Sequence, residues 1–284
     1  MTLRHHESHR RIRVHHDGRY IGGYTIGDYR PYVYPLLTPR GIPVSEESPV
    51  DHPHHHSLWF GHGEVNDANF WLIGPGRGRV VGDPPILETR ETPDGEALLV
   101  RHDLRWITTD GTPLLLERRT TAFTWTPSAI LVDLRSDQLP ADGPVTFGRT
   151  KEAGLGVRVL DILDEEDGGF LLNSAGEQGE KVTFDRPADW VDYSGRVGDH
   201  HVGVALLPHP TNPPHPWFTR SYGLVALNHH RFGAQTLQPG EVLSLAWRAI
   251  VHDGTADEAG IADRHQEYAT ACKEGLDSVL AWPT

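Results

Sequence analysis

The sequence predicts an all-β protein, a large antiparallel β-sandwich with one C-terminal helix. Three observations carry that expectation. Apolar and polar residues alternate with period two in many separate stretches. The 30 glycines and 22 prolines are spread through the 284 residues as turn punctuation, with no linker-like concentration. Helical periodicity occurs convincingly once, near the end. With no internal repeat, residues 1–284 read as one sandwich domain, residues 1–12 being a flexible, solvated end. The length is ample for a buried core.

The clearest element is a hairpin. Leu98, Val100, Leu104 and Trp106 alternate with Arg101, Asp103 and Arg105, and Asp110-Gly111 supplies a turn that favours positive φ. The return strand is expected at about 113–126 and a third at 129–135. Further strands are expected at 154–163, 169–173, 201–207, 222–228 and 242–252. Thr255 and Glu258 have capping-box spacing, and Ile261, His265, Tyr268 and Cys272 recur at helical intervals. They predict a helix over 255–274, with Cys272 on its buried stripe.

Composition excludes several classes. There are 39 acidic against 26 basic residues, a formal charge of −13, which argues against nucleic acid as a partner. The single cysteine leaves no intrachain disulfide and no cysteine-based zinc site. No run approaches a spanning helix, so no membrane partner is expected. The opening MTLRHHESHRR lacks an apolar core, so no secretory leader is expected and a cytoplasmic location is. Glycine clusters at 61–63 and 74–78 lack phosphate-loop spacing, so no nucleotide cofactor is expected.

The segment Asp51–Asn66 places five histidines and two carboxylates in sixteen residues. Neutral imidazole is the commonest metal ligand and the side chain that titrates nearest neutrality. Read as strand from Ser57, the segment sends His62, Glu64 and Asn66 to one face, with His54 and His55 folded toward them from an upstream turn. His54, His55, His62 and Glu64 are thus candidate ligands of a divalent zinc, manganese, iron or nickel ion. No standard metal motif is present, and a histidine-rich surface loop remains the alternative.

Three other segments bear chemistry. Lys151 and Glu152 precede a glycine-rich strand as a candidate general acid or base with its cationic partner, and Arg158 follows. Asp189, Trp190, Asp192 and Tyr193 set aromatic rings beside carboxylates. The loop from 208 to 223 is stiffened by prolines and carries His209, Asn212, Trp217, Arg220 and Tyr222 as candidate binding residues.

The stretches DHPHHHSLWFGHGEVNDANFW, KEAGLGVRV, GEQGE, ADWVDYSG and VGVALLPHPTNPPHPWFTRSYGL occur in this order over roughly residues 30–253. They resemble the bacterial family catalogued as methane oxygenase PmoA, or PmoA-like. The methane monooxygenase subunit of that name is an integral membrane protein, so the resemblance implies no methane chemistry. It implies a soluble β-rich protein of carbohydrate catabolism with a galactose-mutarotase-like supersandwich. A small carbohydrate-type ligand is then expected. His55, His62, Glu64, Lys151 and Glu152 would be catalytic, and Arg158, His209, Asn212, Trp217, Arg220 and Tyr222 would bind substrate. The chemistry would be metal-assisted or His/Glu acid–base: hydrolysis, elimination or epimerisation of a sugar or oxidised sugar. A non-catalytic sugar-binding module and a non-haem metal-dependent oxygenase are the alternatives. Assembly into a homo-oligomer stays open.

Overall fold

Two large antiparallel sheets carry the chain. The computed structural model describes residues 3–276 and 280–282. The first sheet has eight strands in the order Leu3–Ser8, Arg11–His16, Arg19–Ile26, Pro31–Leu36, Leu58–His62, Ala153–Arg158, Leu224–Leu227 and Trp217–Arg220. The second has nine, centred on the long strands Leu243–Asp253, Ala129–Pro140, Pro113–Trp125 and Gly95–Ile107. Val145–Phe147 and Gln235–Leu237 form a small extra ribbon. The expected antiparallel sandwich is the observed architecture.

The core lies between the sheets because alternation sends one face of each strand inward. Leu58 and Phe60 of the first sheet meet Leu98, Val100, Phe123, Val132 and Trp247 of the second in one buried cluster. Each fully buried aliphatic or aromatic side chain is worth roughly 1.5–3 kcal/mol relative to exposure. The predicted hairpin is present, pairing Leu98 with Phe123 and Val100 with Thr121.

Four expectations are corrected. The opening residues are not a loose end: Leu3–Ser8 pairs in register with Arg11–His16. The strand expected over 154–163 stops at Arg158, the last residue paired with Leu224, and Asp161–Leu163 turns as a short 3-10 helix. The strand expected from Tyr222 begins at Leu224, because Gly223 turns the chain at φ 87°. The helix expected from 255 begins at Ile261. Thr255 and Glu258 do form the reciprocal capping pair, but Gly260 at φ 65° interrupts the chain before the helix.

That helix, Ile261–Lys273, buries Ile261 and Tyr268 on Leu131, Leu207 and Ile250 of the outer face of the second sheet. Arg248 anchors it, chelating Asp133 at 2.7 and 2.9 Å while lying 4.6 Å from the Tyr268 ring centre. Cys272 is half-buried against this cluster. Gly260→Ala is expected to cost about 1 kcal/mol, because a Cβ there meets no neighbour yet disfavours the left-handed backbone. A shift of the urea midpoint reads it, and an unchanged midpoint refutes it.

Candidate functional site

The site is built on the outer face of the first sheet. Cross-strand pairing sets one transverse row there: Arg11, Thr25, Tyr32, Trp59, Gly156, Ala226 and Phe218. Such directly opposed residues share a face. A second row holds Arg158, Leu224 and Arg220. At Gly156 the missing side chain matters, since a Cβ would stand 3.1 Å from the Trp71 ring and 3.2 Å from that of Trp59. The two indoles fill that space, their centres 5.0 Å apart.

A cover lies over this floor. Asn69 Oδ1 accepts the backbone N–H groups of Trp71 and Leu72 and so folds Trp71 back onto the sheet. Arg30, fully buried, donates to the carbonyls of Phe70 and Trp71 at 2.7 Å each and to that of His54 at 2.6 Å. One guanidinium therefore clamps both covering segments. Burial, reinforced by the Arg119 charge, lowers its pKa to about 9.

Tyr222, His52, His55 and Trp59 form a stack. His52 lies 4.6 Å from the Tyr222 ring and 4.7 Å from that of His55, which lies 5.1 Å from Trp59. Burial, with nearby His54, holds His55 at about 2, so its imidazole is neutral at physiological pH. His54 is held at about 4 by burial and the Arg30 charge. His52 Nδ1 donates to Asp51 at 2.7 Å, and Arg158 donates to the same oxygen at 2.9 Å. Burial pushes the Asp51 carboxyl up, but these two hydrogen bonds outweigh it and hold it at about 2.

Two guanidiniums flank Tyr222. Those of Arg158 and Arg220 each lie 5.3 Å from its ring centre. Arg158 bridges Asp51 and Asp161, and Arg220 pairs with Glu180 at 3.0 Å. Burial raises the Tyr222 hydroxyl above its ordinary range against the opposing pull of both arginines. Three buried polar atoms around this ring have no hydrogen-bond partner among the described residues: His55 Nδ1, Arg158 Nε and Arg220 Nε. Buried polar atoms are usually partnered, so these three have hydrogen-bonding capacity to spare.

Glu152 stands in the bend just before the strand Ala153–Arg158. Its carboxylate is one-third exposed (32%), lies 3.9 Å from Lys151 Nζ, and its charge is felt at Tyr222. Lys151 is largely exposed (63%).

The chain belongs to the DUF6807 family, a family of unknown function, over residues 11–266. No curated protein matches it in sequence. Among solved structures it is similar to a galactose mutarotase-like protein from Lactobacillus casei ATCC 334, at TM-score 0.39 and 8% identity, covering 88% of this chain and 100% of that one. It is similar to the heparan sulfate lyase HepC from Pedobacter heparinus, at TM-score 0.37 and 9% identity, covering 79% of this chain and 30% of that one. A protein described as a kojibiose phosphorylase, from the human microbiome, follows at TM-score 0.36 and 7% identity, covering 90% of this chain and 32% of that one. The chain thus spans about a third of the latter two. No helix among the described residues is long and apolar enough to cross a membrane.

Within this DUF6807 chain the sequence-predicted residues divide into three groups. His54, His55, Arg158, Arg220 and Tyr222 come together, with Lys151 and Glu152 at one side. His62 does not join them. It shares the inward parity of Leu58 and Phe60 and packs 5.3 Å from Phe147 and 5.0 Å from His230. The strand ends at His62 and the chain bends at Gly63, so strand parity does not extend to Glu64. Glu64 is exposed against Gly148. The set His54, His55, His62 and Glu64 is thus split between the faces. Among the described residues no three His, Cys, Asp or Glu side chains are grouped so as to hold a metal ion.

The third group is structural or lies elsewhere. Trp217 is fully buried in the inter-sheet core, its indole N–H given to the Ala188 carbonyl. Asn212 pins the backbone of Ala246 through both side-chain atoms. Asn212 and His209 line a separate cavity of about 640 Å³ with Asp189, His215, His265 and Lys273. Asp192 is buried against His252, 2.8 Å away. Sequence reasoning missed Arg30, Trp71 and Glu180, which isolated positions in unremarkable stretches do not betray.

Proposed function

We propose that this chain is an enzyme of carbohydrate catabolism that acts on a sugar or oxidised sugar by acid–base chemistry around Tyr222. The observation that carries the proposal is the convergence of His55 Nδ1, Arg158 Nε and Arg220 Nε, all buried and partnerless, about that ring. The chemistry follows from the residue types. Two fixed guanidiniums suit the carboxylate of a sugar acid and stabilise negative charge that grows when a neighbouring C–H loses its proton. The neutral His55 imidazole suits a hydroxyl, which needs a hydrogen-bond partner rather than a charge. Glu152 is the partly exposed carboxylate whose charge reaches Tyr222, and it takes the proton, with Lys151 as its cationic neighbour. Epimerisation and elimination share this first step. The resemblance to PmoA-like proteins points to the same substrate class.

A second reading, a sugar-binding module without turnover, is favoured by the salt pairing of Glu152 with Lys151. Nuclear magnetic resonance in deuterated water over a panel of aldonic and uronic acids separates the two. Glu152→Gln is expected to slow C–H exchange by roughly 10²–10⁴-fold while binding persists. Arg220→Gln is expected to weaken binding about tenfold or more. Binding that Arg220→Gln weakens, with no exchange in the wild type, selects the module. Binding indifferent to Arg220 refutes both.

A further inference from the structure

Three arginines unused by the Tyr222 site line a different cavity. Ile12 and Val14 of the second strand are buried in the core, so Arg11 and Arg13, which alternate with them, face outward. Arg11 continues the transverse row through Thr25 to Tyr32. Together with Arg10 and His56 these residues line a cavity of about 500 Å³. The histidine segment separates it from the Tyr222 site, since His55 stacks on Trp59 whereas His56 stacks on Tyr32, at 4.6 Å.

The polar groups here are unevenly partnered. Arg10 pairs with Asp28 at 2.6 Å. Arg11 is shared between Thr25 Oγ1 at 3.1 Å and Glu47 at 3.3 Å, and Glu47 also accepts the Tyr32 hydroxyl. Arg13 has no ion-pair or hydrogen-bond partner among the described residues, although the chain carries 39 acidic residues to 26 basic ones. His56 is buried, and its Nδ1 also lacks a partner. Burial, with the Arg30 charge, holds this imidazole at about 3, so it is neutral. A cavity wall thus offers one uncommitted cation, a second cation held in place, a neutral imidazole edge and an aromatic ring.

We propose that this cavity is a second binding site, for a small sugar bearing a carboxylate or phosphate group. Arg13 takes the oxyanion with Arg11 beside it, and the His56 and Tyr32 rings wall the sugar body. Guanidinium geometry fits both oxyanions in bidentate fashion, and neutral imidazole and tyrosine suit the sugar body. The site does not depend on the reaction proposed at Tyr222.

Calorimetric titration of the full chain carrying Arg220→Gln, which weakens the Tyr222 site that uronic acids would also enter, tests it with four probes: glucuronate, glucose 6-phosphate, inorganic phosphate and glucose. Glucuronate or glucose 6-phosphate is expected to bind at least tenfold more tightly than glucose, and the tighter of the two names the oxyanion. Arg13→Gln is expected to weaken that binding at least tenfold, and Arg13→Lys to restore part of it. Melting curves of both variants check that the fold is retained, and Tyr222→Ala is expected to leave the affinity within twofold. Equal affinity for glucose and the anions, unchanged affinity in Arg13→Gln, or no binding at millimolar concentration would each overturn the proposal. Binding of inorganic phosphate alone, with neither sugar anion bound, would overturn the sugar assignment. Loss of binding in Tyr222→Ala would overturn the separateness of the site.

Discussion

Lowering the pH from 7 to 5 is expected to remove at least about 6 kcal/mol of stability, roughly 2 kcal/mol from each of His55, His56 and His62, with His54, His102 and His229, which burial also holds below the free value, adding to it. His55, His56 and His62 are held by burial at about 2, about 3 and about 3, against 6.5 for a free imidazole. Their folded values are depressed, so below 6.5 the unfolded chain takes up protons that the folded chain refuses. Stability therefore falls as the pH drops from 6.5 and goes on falling toward about 3. Asp51 acts in a lower window. Its folded value of about 2 lies under the ordinary 3.8, so its contribution is present above 3.8 and fades as the pH falls to 2. A loss concentrated between pH 6.5 and 5 thus reports histidines and not carboxylates. Small domains have only about 5–15 kcal/mol in all, so the protein should be near its unfolding midpoint at pH 5. Urea midpoints at pH 7 and 5 measure the effect. His62→Gln should reduce the difference by roughly 2 kcal/mol, because its site lies apart from that of His55 and His56. Equal midpoints at the two pH values would show that these imidazoles are solvated.

The same histidines show what was legible in the sequence. Their density announced a site, and His54 and His55 do stand in one. The error lay in carrying strand parity past His62, where the chain bends at Gly63 and the alternation ends. Parity up to His62 was sound, and it places that side chain inward with Leu58 and Phe60. The hairpin at Leu98–Trp125 was legible because its period of two holds from Leu98 to Trp106, and the register shifts only at Ile107, beside the turn. Arg101 obeys that period yet is buried, since the chain end returns to cap it through the Ala281 carbonyl at 2.9 Å. The Arg19–Ile26 strand was not legible. Its register shifts at Gly22 and Gly23, and at Gly23 a Cβ would stand 2.9 Å from the Tyr34 carbonyl, so two glycines permit a bulge that destroys alternation. Arg30 and Trp71 were beyond reach for another reason. Each acts on segments distant in sequence, and no local pattern encodes such a partner.

Glu117→Ala is expected to destabilise the protein by about 3–5 kcal/mol, because it leaves a guanidinium charge buried without its counter-ion. Glu117 and Arg119 lie one residue apart on the inward face of the same strand, each 1% exposed. Arg119 donates from Nε at 2.7 Å and from its other nitrogen at 2.8 Å, and the same carboxylate accepts the Trp106 indole N–H and the Ser136 hydroxyl, both at 2.7 Å. Alanine would strand all of these donors. The consequence reaches the candidate site. Arg119 also donates to the Pro31 carbonyl at 3.3 Å, and its charge already depresses the neighbouring Arg30, the clamp on His54 and Trp71. Without Glu117 two guanidiniums would face one another across the core with less to balance them. Replacing both partners, Glu117→Leu with Arg119→Met, removes the buried charges together and is expected to cost far less than the single change. Urea midpoints of the single and double variants decide the matter. If Glu117→Ala costs under 1 kcal/mol, water must reach the pair and Arg119 exerts no hold on the site. If the double variant is stable and the Arg30 clamp persists, the pair serves packing between the sheets, and the arrangement of His54, His55 and Tyr222 rests on Arg30 alone.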